Sequence, residues 1–282
     1  MTLPILVNSC DKFRDCWDPF FFFWKKFGFK KIDYRLYLNT ERADYSYEGL
    51  DVTACKVCEK GNWQGKGFPT WSWCTRKAVE QMEGEFFIYM QEDYFLTRQT
   101  DDDYILSLIQ RMKEDPSIHN INLTDQGLGF FVPSDREGLK KGDPVRSCYA
   151  SLQAVLWRRD TFLSLLRDAE SAWDFETWAK RRAHLTGLNF YMPDRTEMPM
   201  VYIFTGVIQG KWYKPVVPLF AEHGIEMDFS VRGMYEGPFG KREGRFWAYW
   251  KKRIQLNYQS RKRRFFPLSS WAECLRLRFF GK

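Results

Sequence analysis

Two adjacent carboxylates, Glu92 and Asp93, end an apolar segment of the chain. Residues 85–91 read Glu-Phe-Phe-Ile-Tyr-Met-Gln, which predicts a buried strand. Carboxylates are costly to bury unless they are paired or bind a cation. Mn²⁺ and Mg²⁺ favour oxygen ligands and often keep substrate phosphates in their shell. Because ligands bind at the carboxyl ends of strands in open α/β sheets, the two acids predict a metal–diphosphate site. The alternative is a strand end whose acids are solvated.

Asp174 and Glu176 form a second pair of acids, in a segment that reads Trp-Asp-Phe-Glu-Thr-Trp and opens a predicted helix. A reaction in which a hydroxyl group attacks needs one carboxylate to take the proton of that hydroxyl. Burial among the aromatic neighbours would raise the pKa of such a carboxylate and make it a better base. The alternative is ordinary acidic charge at a helix N-terminus, which the helix dipole stabilises.

Ser9 and Asp11 follow the first predicted strand, residues 3–8, and so belong to the same edge of the predicted sheet. Their oxygens can accept hydrogen bonds from a base N–H or bind ribose hydroxyls. The alternative is a simple turn, because Ser and Asp favour turns.

Four basic or imidazole side chains are candidates for contact with the same ligand. Lys211 and Arg232 would stabilise a departing diphosphate, although a solvated surface charge is the alternative. His184 and His223 would add a metal ligand or contact a phosphate, although a histidine on the surface or in the core is commoner.

Tryptophans close to these acids also fit a ligand that contains a sugar, because sugar rings pack their apolar C–H faces on aromatic rings. Most of these residues are expected in the core, with one or two in contact with ligand. They are Trp71, Trp73, Trp173, Trp178 and Trp212.

The composition indicates a folded α/β protein in a reducing compartment. The chain has 282 residues with 44% hydrophobic and 18% aromatic residues, enough for one large domain or a domain with an appendage. The N-terminus reads as a strand rather than a signal peptide, and no apolar run reaches the length of a membrane-spanning helix.

Seven cysteines without an export signal predict free thiols. Cys55 and Cys58 have CxxC spacing, but no second ligand pair accompanies them, so a plain loop is favoured over zinc or redox chemistry.

The positive charge of the chain is concentrated in its C-terminal tail. Residues 241–282 hold 13 Lys/Arg and 2 Asp/Glu, whereas the other 240 residues hold 30 Lys/Arg and 34 Asp/Glu. Cations interleave with aromatic residues there, as in the segment 261–271, which fits an anionic membrane surface. Two alternatives stay open: a helix that packs on the domain, and binding of nucleic acid through its phosphates.

Strands and helices alternate along the chain, which predicts a mainly parallel sheet with crossover helices. Strands are predicted at residues 3–8, 34–39, 52–55, 85–91, 119–123, 149–157 and 200–208. Helices are predicted at residues 16–27, 71–83, 103–113, 160–166 and 171–184. Thr70 or Ser72 is expected to cap the second helix, and Asp160 the fourth. Residues 124–147, rich in Gly, Pro and charge, are predicted to form a long substrate-binding loop.

Several of these segments together resemble nucleotide-sugar-dependent glycosyltransferases with the GT-A fold. The resemblance lies in Leu3–Lys12 with Trp17-Asp18-Pro19-Phe20, Trp71-Ser72, Gln91–Leu96, Ser151-Leu152-Gln153, Trp173–Glu176, and Gly210-Lys211-Trp212 with Arg232. It covers residues 3–235 and is carried more by the order of these segments than by any one of them. It implies a GT-A-like, Rossmann-like α/β domain at residues 1–235 and a basic, aromatic, helical extension at residues 236–282.

The resemblance also assigns roles to the candidate residues. Glu176 matches the acid position of the family better than Asp174, so Glu176 is the first candidate base and Asp174 the second. Ser9, Asp11, Trp71, Ser72, Glu92, Lys211 and Arg232 are expected to bind the nucleotide sugar. Asp93 and Glu92 are expected to bind a divalent cation, Mn²⁺ or Mg²⁺. The usual metal motif of the fold is Asp-x-Asp, so two further arrangements stay open here: Asp93 alone, or Gln91 with Asp93 while Glu92 points away.

The predicted function is transfer of a sugar from a nucleotide-diphosphate donor to a hydroxyl of a growing, lipid-linked surface glycan, with inversion. A retaining enzyme would share every feature except the base. The expected place is the cytoplasm, at the inner face of the membrane, with no nucleic-acid partner. A metal-dependent nucleotidyltransferase or phosphotransferase is one alternative, although the phosphate loop GxxxxGK[ST] is absent. A non-enzymatic nucleic-acid-binding protein is the other, although the first 240 residues are net acidic.

Overall fold

The computed structural model describes residues 2–65, 69–126, 130–143, 150–237 and 268–280. The strands are β1 (Leu3–Asn8), β2 (Tyr34–Leu38), β3 (Val52–Ala54), β4 (Phe86–Gln91), β5 (Ile118–Asn122), β6 (Phe131–Pro133), β7 (Leu139–Gly142), β8 (Val155–Arg158), β9 (Asn189–Pro193), β10 (Val207–Ile208) and β11 (Lys211–Trp212). In this part of the chain, β1 to β9 form one sheet and β10 and β11 form a separate hairpin.

The large sheet is mixed but mainly parallel. Its strand order is β3-β2-β1-β4-β8-β5-β9-β7-β6. Strand β1 is parallel to β2 and to β4, and β5 is parallel to β9, whereas β8 and β7 run against their neighbours. Strands β1 and β4 are buried along almost their whole length, as apolar runs in the centre of a parallel sheet are. The predicted GT-A-like α/β fold is therefore confirmed.

Helices cover both faces of the sheet. A 3₁₀ helix (Asp11–Cys16) precedes α1 (Trp17–Phe27), and the other helices are α2 (Val57–Lys60), α3 (Trp71–Val79), α4 (Asp102–Glu114), α5 (Arg159–Leu165), α6 (Ala172–Leu185), α7 (Val216–Glu222) and α8 (Leu268–Phe280). Alternate side chains of β1 point to opposite faces. Accordingly Val7 packs in the cluster that contains the aromatic residues of α1, whereas Leu6 packs in the cluster under α3 and α6.

Local capping signals fix two of the helices that border the site. The Thr70 hydroxyl accepts a hydrogen bond from the Trp73 backbone N–H, so Thr70 is the cap of α3 and that alternative is confirmed. Ser171 caps α6 in a capping box with Asp174, in which each side chain accepts from the backbone of the other residue. The predicted cap at Asp160 is wrong, because α5 begins after Arg158 without a side-chain cap.

Other corrections concern the chain after residue 123. The predicted loop at residues 124–147 contains the hairpin of β6 and β7. The lysines of β7 suit the exposed side of a sheet, but they interrupt the apolar alternation from which a strand is predicted. Strand β9 and helix α7 were not predicted. Residues 200–208 were predicted as one strand, but they hold an isolated bridge at Tyr202 and the two-residue strand β10. Of the predicted strand 149–157, residues 155–157 are in β8.

Helix α8 packs against α6, with Cys274 buried. Residues 238–267 of the predicted basic extension lie outside the described residues. Over the ranges that the structure does describe, no helix is both long and apolar enough to span a membrane.

Candidate functional site

Asp93 lies in the turn that follows β4, and one of its two oxygens is fully engaged. Oδ2 accepts hydrogen bonds from the Thr205 hydroxyl at 2.6 Å, from the Gly206 N–H at 3.1 Å and from the Val207 N–H at 3.0 Å. The Asp93 carbonyl also accepts from the Gly206 N–H at 2.9 Å. Oδ1 is buried and has no partner among the described residues. Asp93 thus fastens the segment 205–207 to the end of β4, while its second oxygen is not used in these contacts.

Gly206 is the residue that lets this segment approach so closely. A Cβ atom at this position would lie 2.5 Å from the Phe95 ring and 3.0 Å from the Asp93 carbonyl oxygen. Real Cβ atoms do not tolerate such contacts, so a side chain would displace the segment from Asp93.

Glu92 is only 8% exposed. Burial, followed by the charge of Asp93, raises the pKa of Glu92 well above its usual value, and Arg232 opposes this shift. Burial also raises the pKa of Asp93, although the hydrogen bonds from residues 205–207 oppose it. A bound cation would compensate both charges. Both acids are buried, and which of the three predicted arrangements binds a metal ion stays a prediction.

The donor set fits a hard divalent cation that shares its shell with a ligand. Asp93 offers a buried carboxylate oxygen without a partner among the described residues, and Glu92 is buried beside it; Mg²⁺-type ions are often bound by one or two carboxylates together with phosphates and water. Across the described ranges, no group of three or more His, Cys, Asp or Glu side chains is arranged to hold a metal ion. The described side chains would therefore supply only part of the coordination shell of a metal ion.

Arg232 lies beside these acids and is tied to the 3₁₀ helix. Its Nε donates to Asp15 at 2.5 Å, Nη2 donates to the same carboxylate, and Nη2 also donates to the Lys12 carbonyl at 3.1 Å. The guanidinium group lies 4.5 Å from the centre of the Phe13 ring. Arg232 therefore brings a positive charge close to Glu92 while its position is fixed by Asp15.

Lys211 is exposed on the β10–β11 hairpin. The turn of this hairpin has positive φ at both Gln209 and Gly210, 54° and 80°, which matches the twist of a tight hairpin. Its neighbour Trp212 is buried and packs against Phe220, so Lys211 stands on a well-anchored strand.

Asp11 and Ser9 shape the loops at the end of β1. The Asp11 carboxylate accepts from the backbone N–H groups of Glu41, Arg42 and Ala43 at 2.9, 3.0 and 3.1 Å. The Asp11 N–H in turn donates to the Glu41 carboxylate at 2.5 Å. The Ser9 hydroxyl accepts from the Trp17 indole at 2.8 Å. These bonds hold the loops after β1 and β2 together at the carboxyl edge of the sheet.

Glu176 reaches the end of β4 through the backbone of Leu152. Glu176 Oε1 accepts from the Leu152 N–H at 3.4 Å, and the Leu152 carbonyl accepts from the Tyr94 hydroxyl at 3.1 Å and from the Gln91 amide at 3.4 Å. Burial raises the pKa of Tyr94 well above its usual value, and the charges of Tyr202, Asp93 and Glu176 add to this. Glu176 is thus brought to the end of β4, although 83 residues separate it from Asp93 in sequence.

Asp174 occupies a different environment from Glu176. Its carboxylate accepts from the Ser171 N–H at 3.1 Å and from the Ser171 hydroxyl at 2.7 Å. Asp174 therefore serves the N-terminal cap of α6, while Glu176 faces the end of β4.

The predicted residues Trp71 and Ser72 begin α3 beside α6. The Trp71 ring is half-buried and lies 5.3 Å from the ring of Phe175. Ser72 is buried, its hydroxyl has no partner among the described residues, and its N–H donates to the Glu170 carbonyl at 3.2 Å.

The other aromatic candidates divide between core and surface. Trp178 and Trp212 are buried, and Trp73 packs against Trp63 at 4.9 Å. Trp173, at the start of α6, is 80% exposed and is therefore open to a ligand.

Neither predicted histidine contacts the acids at the end of β4. His184 is exposed near the C-terminal end of α6, in a surface groove that Lys141 also lines. His223 packs on the Phe23 ring of α1, and its Nδ1 lies 3.0 Å from Lys26 Nζ. Cys55 and Cys58 are buried free thiols.

A buried polar group that the sequence analysis missed lies at the ends of β1 and β2. Asn8 Oδ1 accepts from the Asn39 amide at 2.8 Å and from the Thr75 hydroxyl at 3.1 Å. The signal was available, because both asparagines directly follow apolar strand residues. Asp15 and Thr205 were also missed, and nothing in their local sequence distinguishes them.

Comparisons with known proteins concern the fold. The sequence matches no protein-family model and no curated protein. Similar solved structures include S. aureus TarS 1–349 in complex with UDP, at 12% identity over 70% of this chain and 59% of that chain, with a TM-score of 0.44. CMP-2-keto-3-deoxy-manno-octonic acid synthetase complexed with CTP is similar at 12% identity over 79% and 100%, with a TM-score of 0.44. Mannosyl-3-phosphoglycerate synthase from Rubrobacter xylanophilus is similar at 10% identity over 82% and 78%, with a TM-score of 0.39.

Proposed function

We propose that this chain is a glycosyltransferase that moves a sugar from a nucleotide-diphosphate donor to a hydroxyl of a glycan. One observation carries the proposal: at the carboxyl end of β4, Glu92 and Asp93 are both buried, and Asp93 Oδ1 has no partner among the described residues. Such an arrangement is unfavourable unless a cation or a ligand compensates it. A diphosphate with its cation supplies that compensation.

The cation would be Mn²⁺ or Mg²⁺, held by Glu92 and Asp93. When bound, it would act as a Lewis acid that offsets negative charge on the diphosphate leaving group. Arg232, fixed by Asp15 close to Glu92, and Lys211 on the β10–β11 hairpin would add positive charge on the same side.

Glu176 would act as the base. Its carboxylate would take the proton of the acceptor hydroxyl while the hydroxyl oxygen forms a bond to the anomeric carbon. The bond from that carbon to the diphosphate breaks in the same step, and the diphosphate leaves with the electron pair. Inversion follows from this single displacement. The Leu152 N–H orients Glu176 toward the end of β4, whereas Asp174 is committed to the helix cap.

The nucleoside and the sugar would occupy the neighbouring loops. Ser9 and Asp11 order the loops after β1 and β2, where a nucleoside would lie. Trp71 and Ser72 at the start of α3, together with the exposed ring of Trp173 at the start of α6, would border the sugar. The Trp rings would pack on the sugar.

The acceptor would be a lipid-linked glycan at the inner face of a membrane. Helix α8 supports this, because Trp271 is 46% exposed on it and Arg276 and Arg278 are exposed nearby. Cations and a tryptophan suit an anionic lipid surface. We expect the protein to float with vesicles of anionic lipid and not with neutral ones.

The test is thermal stabilisation by a panel of nucleotides and nucleotide sugars, each with and without Mn²⁺, because a ligand of the folded state raises the melting temperature. The matched variants are Glu92→Gln and Glu226→Gln, the second at an exposed position. We expect a nucleoside diphosphate or its sugar to stabilise the protein, Mn²⁺ to enhance the shift, and only Glu92→Gln to abolish the enhancement.

Other outcomes would contradict the proposal in distinct ways. Stabilisation by nucleoside triphosphates alone would favour the nucleotidyltransferase alternative. No shift with any nucleotide would favour a nucleic-acid-binding protein. If transfer occurs, the configuration of the product at the anomeric carbon, read by NMR, separates inversion from retention.

A further inference from the structure

A buried ion pair joins Glu170, in the segment before α6, to Arg182 on α6, and the C-terminal helix α8 is hydrogen-bonded to it. Glu170 is 0% exposed and Arg182 is 2% exposed. Arg182 Nη1 and Nη2 donate to the two oxygens of the Glu170 carboxylate, each at 2.7 Å. The Ser270 hydroxyl, from α8, donates to the same carboxylate at 2.7 Å. The carboxylate is thus held by one helix of the domain and by the helix at the end of the chain.

A second contact reinforces the first. Arg167 Nε and Nη2 donate to the Glu273 carboxylate at 3.0 and 2.5 Å. Glu273 also lies 3.9 Å from Arg182. Two-point pairs between a guanidinium group and a carboxylate fix orientation as well as distance. These contacts therefore fix the orientation of α8 on the domain as well as its distance from it.

The segment that α8 holds sets the start of two helices of the candidate site. The Glu170 carbonyl accepts from the N–H of Ser72, the second residue of α3. Glu170 directly precedes Ser171, the cap of α6, and the Phe175 N–H donates to the Ser171 carbonyl at 2.8 Å. Glu176 is the next residue along that helix. The start of α3 and the position of Glu176 thus depend on the same short segment.

We propose that α8 is a positioning element of the catalytic domain, with Ser270 and Glu273 as its positioning residues. A buried ion pair is seldom a better source of stability than apolar packing, but it fixes geometry, and small misplacements of a catalytic group are costly. The C-terminal helix would then act on Glu176 through Glu170 and Ser171. The expected effect on sugar transfer rests on the proposed function. The link from α8 through Glu170 and Ser171 to the starts of α3 and α6 does not.

The test compares Ser270→Ala and Glu273→Gln with Ser269→Ala, a matched control because Ser269 is the exposed neighbour of Ser270. Backbone hydrogen exchange is measured at the amides of Ser72 and Phe175. We expect faster exchange at both amides in the two variants and unchanged exchange in Ser269→Ala. Glu273 is partly exposed, so Glu273→Gln keeps the experiment informative if Ser270→Ala does not fold.

Activity provides the second readout. We expect kcat to fall about tenfold in Ser270→Ala, because Glu176 is misplaced, while KM for the donor changes less than about twofold. Ser270→Thr, which keeps the hydroxyl, should restore kcat. Unchanged exchange at Ser72 and Phe175 in both folded variants would overturn the inference. Faster exchange in a protein that transfers no sugar would leave the link intact and reject the proposed function instead.

Discussion

Removal of one charge from the Glu170–Arg182 pair is a sharp test of the packing described above. In Glu170→Gln the amide oxygen can take the place of Oε1, so the bonds from Arg182 Nη1 and from Ser270 survive, while the amide NH₂ opposes the Nη2 donor of Arg182. The charge of Arg182 then stays buried with Glu273 at 3.9 Å as its nearest compensation. Breaking a buried pair in this way costs about 3–5 kcal/mol, and Glu273 places the value near the lower end.

Denaturant unfolding and a thermal melt measure the loss of folding stability in Glu170→Gln. A cost of about 3 kcal/mol corresponds to a melting temperature lower by roughly 6–12 °C in a chain of this size. The matched control is Glu80→Gln, which removes the same charge from a pair with Lys77 whose side chains are 40% and 32% exposed. That change should cost about 0–1 kcal/mol. Equal losses in the two variants would refute the argument that burial decides the strength of the pair.

Further predictions concern the base and His119, which is half-buried. Glu176→Gln should lower the rate of sugar transfer by about 10²- to 10⁴-fold and leave thermal stabilisation by the donor intact, whereas Asp174→Asn should retain most activity; the reverse result would assign the base to Asp174. Burial lowers the pKa of His119 from its usual 6.5, so the unfolded chain takes up a proton first as the pH falls and stability decreases below about pH 6.5. In denaturant unfolding at about pH 7.5 and 5.5, His119→Gln should lose less stability on acidification than the wild type, and an equal loss would contradict this assignment.

Local patterns were sufficient for the centre of the fold. The apolar runs at residues 3–8 and 86–91 predict β1 and β4 because a strand buried on both faces needs apolar side chains at every position. The polar residues that follow them must then lie at the same edge. The start of α6 also depends on a local pattern, because Ser171 and Asp174, which form its capping box, are three residues apart. The edge strand β6 and its neighbour β7 were not predicted, because exposed strands need no apolar pattern.

By itself, therefore, the sequence determined the central strands, the helices with clear caps, and the place of Glu92 and Asp93 at a strand end. Tertiary structure alone decided which oxygens of these acids stay open. The partners of Asp93 lie 112 to 114 residues away, Arg232 meets Asp15 across 217 residues, and Ser270 meets Glu170 across 100. Periodicity reports only whether a side chain faces the core. Which distant donor neutralises a buried carboxylate depends on how the layers pack, and no local pattern records that.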